Sequence, residues 1–319
     1  MTDKKGESGK YIALGLLIGA LAALASVYVP YASLAAPAFL AFVFAAWGTA
    51  GIVSALTGAL AATLLTLDVA DAAYTLSLYL PASLIMGWVI RENKPWRAAV
   101  SISALAMGVA LYLNMSLPYM LEGSNPFEAV QKAIGALAAQ MSAEMQALYP
   151  ADAQGLQLIK ETFASIEEIA PQLMMYLVCG LAMLFALMDV VIARALLKKT
   201  ETTLRPMTHF ALWQLGGHYI HVTIAAIAGT AAVFILGLDN ADAVFAAASG
   251  IVMMPLMLMG VCYMEFTLRM SPKKSAGRRV AFYIFTAFLL PYSLIFLGLA
   301  DRFTKVRRHY TTKKKTDGE

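Results

Sequence analysis

Two acidic residues, Asp189 and Glu265, sit inside long apolar runs. A charge at membrane depth is costly and marks a proton or substrate pathway by default. Each also has a basic neighbour in sequence, because Arg269 lies one helical turn beyond Glu265 and Arg194 follows Asp189. Structural neutralisation is therefore the competing reading. A second group, Tyr28, Tyr31, Asp68, Asp71, Tyr74 and Asn114, falls near the ends of apolar runs, where it could meet a cationic or hydroxylated ligand. Solvated turns and an interfacial aromatic belt suit the same residue types.

Other chemistries are weaker or missing. His218 and His221 share a helical face, but two ligands are too few for a metal site and interfacial anchoring fits them better. Met253, Met254, Met257, Met259, Met264 and Met270 form no single stripe and have no Cys or His cluster beside them, so they read as packing residues rather than a soft-metal path. Cys179 and Cys262 lie in apolar runs, which excludes a disulfide framework. There is no Walker-A lysine loop, no His-Glu-x-x-His and no Gly-x-Ser-x-Gly. The chain is accordingly read as non-enzymatic, with no cofactor and no metal.

The elements that must position these residues are membrane helices. The chain has 319 residues, 60% of them hydrophobic and 14% charged, with a mean hydropathy of +0.68. A bilayer core of about 30 Å needs about 20 apolar residues per helix, and several such runs are present. The expected fold is all-α: a polytopic transmembrane bundle of about eight spans, followed by a C-terminal span or a re-entrant hairpin. Residues 1–10 form a basic tail, and 11–197 a six-helix membrane unit. Residues 198–218 are a linker with Phe210 and Trp213, 219–300 hold the remaining membrane helices, and 301–319 are a basic tail. Tyr11 to Val29 reads as a retained first helix rather than a signal peptide, ending at Pro30. Gly15, Gly19, Ala23 and Ser26 put small residues on one of its faces, for packing within the chain or against a partner. The next runs, about 33–47 and 51–67, read as two spans, with a break or bend near Pro37.

Residues 120–170 form the one long excursion between apolar runs and read as an amphipathic helical hairpin. Asn125, Pro126 and Glu128 mark a helix start. Phe127, Val130, Ile134, Leu137, Met141, Met145 and Leu148 then make an apolar stripe, and a second arm with Ile159, Phe163 and Ile166 leads to Pro171. The insert carries seven acidic residues against Lys132 and Lys160, a poor match for anionic lipid or nucleic acid.

Of the 24 Lys and Arg residues, 22 lie in the N-terminal tail, 91–97, 194–205, 269–279 and 302–315. Eight spans starting inside put the first four of these regions in the cytoplasm and the 120–170 insert outside. A ninth span over 280–300 would carry the basic tail outward. Pro291 splits that run into two halves too short to cross singly, so a re-entrant hairpin is the alternative. The basic tail suits anionic lipid heads, and no aromatic platform for nucleic acid accompanies it.

The order of these features resembles the YybS-like family of bacterial membrane proteins. The resemblance rests on Val27-Tyr28-Val29-Pro30, the short paired spans after it, the amphipathic insert, Phe210 with Trp213, and a C-terminal set of Gly298, Asp301, Phe303, Arg307 and Arg308. It implies a bacterial cytoplasmic (inner) membrane location. It also implies a first half similar to the S-components of energy-coupling-factor transporters, with the small-residue first helix meeting a coupling subunit. The function that follows is a transport or small-ligand-binding component with an unidentified ligand. A membrane scaffold or regulatory partner of envelope or signalling proteins is the competing class, and a membrane enzyme the third.

Overall fold

The computed structural model describes residues 4–29, 32–121, 123–148, 153–200, 204, 209–216, 219–237, 241–270, 277, 280, 281, 284, 291–304 and 307. Among them the regular elements are helical throughout, with no strand. The chain divides into two compact units, Met1–Arg205 and Pro206–Glu319. The first contains α1 (Lys4–Tyr28), a 3-10 turn (Ala32–Leu34), α2 (Ala36–Thr66), α3 (Val69–Arg91), α4 (Trp96–Leu121), α5 (Pro126–Leu148) and α6 (Ala153–Leu197). The second contains a 3-10 turn (Phe210–Leu212), α7 (Tyr219–Ile235), α8 (Ala241–Met270) and α9 (Pro291–Thr304).

The bend expected near Pro37 does not occur, whereas the division expected between the runs 33–47 and 51–67 falls at Gly48. Pro37 lies in the first turn of α2, where its missing N–H costs nothing. Gly48 takes φ 72° and ψ −152°, a backbone that a side chain would strain. The chain folds back there. Gly51 approaches Val43 so closely that a Cβ on it would lie 3.1 Å from the Val43 carbonyl oxygen, whereas eight residues span about 12 Å in a straight helix. Gly87 of α3 lies against Ala41 and Phe44, and Arg91 against Gly48, so α3 runs parallel to the first half of α2. The tight turn at Leu67-Asp68 makes it antiparallel to the second half.

Among the described residues, six helices are long and apolar enough to cross a membrane: α1, the 32–66 segment, α3, α4, α6 and α8. These six hold seven of the eight apolar runs of the sequence, because the 32–66 segment carries two of them, one on each side of Gly48, and the half of α2 before Gly48 is only about 18 Å long. The eighth run is α7, with 17 residues. In the run 280–300, residues 282–283 and 285–290 lie outside the described set, and α9 begins at Pro291.

Helix α6 differs from expectation in a second way. It continues through Pro171 for 45 residues, about 68 Å and twice the thickness of a bilayer core. Proline at 171 cannot donate to the Glu167 carbonyl one turn back. That oxygen instead accepts from Gln131 Nε2 of α5 at 3.3 Å. The hairpin therefore supplies a donor in place of the missing N–H. Helix α5 starts where the sequence predicts, with Asn125 Oδ1 accepting from the Phe127 N–H at 3.0 Å. Its Phe127, Val130 and Ile134 are half-buried, as are Ile159, Phe163 and Ile166 of α6, while Leu137, Met141 and Leu148 are exposed.

Packing in each unit depends on helix backbones that touch. A Cβ on Gly19 would collide with the Ala55 carbonyl, and one on Gly58 with the Leu16 carbonyl. The small-residue face of α1 is thus occupied by α2. In the second unit, Gly260 of α8 meets the Leu294 carbonyl and Gly298 of α9 meets the Leu256 carbonyl, an antiparallel crossing. Adding a branched side chain at such a contact forces backbone shifts, for a cost of about 1–3 kcal/mol or more. Gly19→Val and Gly260→Val should each lower the apparent melting temperature of the detergent-solubilised protein. Gly229→Val, where a Cβ would meet nothing within 4 Å, should leave it unchanged, and equal melting of all three would refute the packing account.

Candidate functional site

Two apolar clusters fill the first unit, and a polar layer lies at the seam between them. Ala82 of α3, Met107 of α4 and Ala186 of α6 belong to one cluster. Met86 of α3, Val100 of α4 and Val190 and Ala193 of α6 belong to the other. Phe42 of α2 packs against both. On each of the three helices, the position between the two clusters on the buried stripe is polar: Ser83, Ser103 and Asp189. Both serines are fully buried, and Asp189 is 1% exposed. Ser83 Oγ donates to the Leu80 carbonyl at 3.3 Å. Ser103 Oγ and Asp189 Oδ2 have no hydrogen-bond partner among the described residues.

Asp189 is the one buried acidic residue of the first unit among the described residues. Arg194 is also buried, but five residues turn a helix by about 140° beyond a full revolution, so it leaves α6 on a different face. No ion pair joins the two among the described residues. Glu265 of α8 is different, pairing with Arg269 Nε at 2.6 Å, and Arg269 reaches solvent.

The residues near the ends of apolar runs mostly have local roles. Asp68 caps α3, its Oδ1 accepting from the Asp71 N–H at 2.8 Å, and both are exposed. Asn114 ties α4 to α3, donating from Nδ2 to the Tyr74 carbonyl at 2.7 Å and to Ser77 Oγ at 3.2 Å. Tyr28 and Tyr74 are exposed. Tyr31 lies outside the described residues, as do His218 and Arg308. Gly15, Gly19 and Ala23 are buried, and Ser26 donates to the carbonyl of Ala22 at 2.7 Å within α1.

In the second unit the C-terminal residues join the 210–213 segment. Arg307 is fully buried, with Nε 2.8 Å from Asp301 Oδ1 and Nη2 2.5 Å from Asp301 Oδ2. Its Nη1 donates to the Ala211 carbonyl at 2.8 Å and Nη2 to Met259 Sδ at 3.7 Å. Phe210 and Trp213, on either side of Ala211, form an edge-to-face pair with centroids 5.0 Å apart. The bidentate geometry and the carbonyl together satisfy a cation that water does not reach.

Sequence comparison accords with this architecture. Residues 17–302 match a family described as "Predicted membrane protein (DUF2232)". The chain belongs to that family. No curated protein and no solved structure matches it. Family membership and the six long apolar helices agree that this is a membrane protein.

Sequence reasoning missed Ser83 and Ser103. Serine in an apolar helix looks like any small packing residue, and the available signal was its place in a buried stripe with spacing of three and four. Because the Asp301–Arg307 pair is dry, removing one partner strands the other at a cost of about 3–5 kcal/mol. Asp301→Asn and Arg307→Met should each lower the melting temperature markedly. The double variant should recover part of the loss, and a strictly additive double variant would count against a dry, coupled pair.

Proposed function

We propose that this membrane protein is a non-enzymatic transport or small-ligand-binding component whose working part is the six-helix first unit. The observation that carries this reading is the layer of Ser83, Ser103 and Asp189 between two apolar clusters, with Asp189 as its one acidic member. Buried polar groups without partners are expensive, and an acidic group within a spanning helix is retained where it handles an ion, a proton or a substrate. In this reading the N-terminus is cytoplasmic and the 120–170 hairpin lies outside a bacterial inner membrane, as the distribution of Lys and Arg favours. The small-residue face of α1 is taken by α2, so a coupling subunit would dock on another surface.

A second reading, a scaffold or regulatory partner, has its own support in the hairpin. The 45-residue α6 outruns a bilayer, and Leu137, Met141, Leu148 and Leu158 are exposed on the hairpin. Native mass spectrometry of gently solubilised protein separates the two. A retained small molecule, or an ATPase-coupled module, is the expected result. A stable complex with envelope or signalling proteins and no bound small molecule would replace the first reading with the second.

A further inference from the structure

We propose that Asp189, with Ser83 and Ser103, forms a site for one exchangeable monovalent cation, a sodium ion or a proton. The inference deepens the transport reading and rests on the same layer. Three observations carry it. The carboxylate is shut away from water and from any ion-pair partner among the described residues, so its charge needs compensation at close range. Asp189 Oδ2 and Ser103 Oγ are both buried without a hydrogen-bond partner among the described residues, on facing helices at the boundary of the same two clusters, so each lacks the polar group that its burial demands. The oxygens offered, a carboxylate and two hydroxyls, are hard ligands that suit a small hard cation and not a soft metal.

The surrounding charges leave this role to Asp189. Helix α2 presents Phe42 and Ala41 at the seam. On α3 the nearest charge is Arg91, eight residues beyond Ser83 and lying against Gly48. On α4 it is Arg97, six residues before Ser103 and over the Trp96 ring. On α6 it is Arg194. All three are guanidinium groups, which stay charged across the accessible pH range, so the carboxyl is the group at the seam that changes state. In the proton case an O–H bond forms on the carboxylate when a proton arrives from water and breaks when the proton returns to it. In the sodium case the ion exchanges its hydration oxygens for those of Asp189, Ser83 and Ser103.

Infrared difference spectroscopy of the full chain in lipid nanodiscs tests the site. Lowering pH at fixed sodium should produce a protonated-carboxyl band if the cation is a proton. Adding sodium chloride at fixed pH should shift a carboxylate band if it is sodium. Either band must vanish in Asp189→Asn. Ser103→Ala keeps the carboxyl and guards against a folding defect. It should weaken the sodium response about tenfold, or move the proton midpoint by about one pH unit, as loss of one bond to a charged group does. Spectra of the wild type that respond in neither arm, or that survive unchanged in both variants, would overturn the site. A positive band together with no retained small molecule or transport partner would leave the site standing and remove the broader transport reading.

Discussion

Contact between helix backbones at glycine is the interaction on which the rest of this structure depends. Lipid offers no hydrophobic force to press helices together, so association inside a bilayer relies on close packing and on small residues that permit it. Gly19 and Gly58 bring α1 against the second half of α2. Gly48 lets the chain reverse and receives Arg91 of α3. That places α3 beside both halves of α2, and the two core clusters follow. The polar seam exists because these helices meet at fixed heights.

The two units treat buried charge in opposite ways. In the second, Asp301 and Arg307 are matched by a bidentate pair, a backbone carbonyl and a thioether, so each exposed alternative is worse than the closed arrangement. Such a cage is a fastener, drawing together α8, α9 and the segment that precedes α7. In the first, Asp189 lies between apolar clusters rich in alanine and valine, with its Oδ2 unpartnered among the described residues. A group so placed is held at a high electrostatic cost that packing alone gives no reason to bear.

Much of the architecture was legible along the chain. The start of α5 at Pro126 followed from Asn125 and Glu128, and the apolar runs located every long helix. Two proline readings failed for one physical reason: proline breaks a helix only when its missing donor leaves an acceptor stranded. Pro37 sits where no donor is needed, and Pro171 has its orphaned carbonyl met by Gln131. The division between the runs 33–47 and 51–67 was legible, but that Gly48 makes it with φ 72° was not, because a glycine in an apolar run carries no sign of its backbone angle. The polar residues at run ends looked like ligand groups, yet the cap at Asp68 and the tie at Asn114 are local devices.

By itself the sequence determined that this chain lives in a membrane, that it is helical, and which residues bear charge within apolar runs. Those properties depend on composition and periodicity, which are local. The tertiary structure decided which charges without a partner on their own helix are neutralised. Glu265 and Arg269 are neighbours by helical repeat, so their pairing could be read in advance. Asp301 and Arg307 need Ala211 and Met259 from distant segments to complete their cage. Asp189 is buried without an ion-pair partner among the described residues, and only the packing of α4 and α6 into the two apolar clusters decides that.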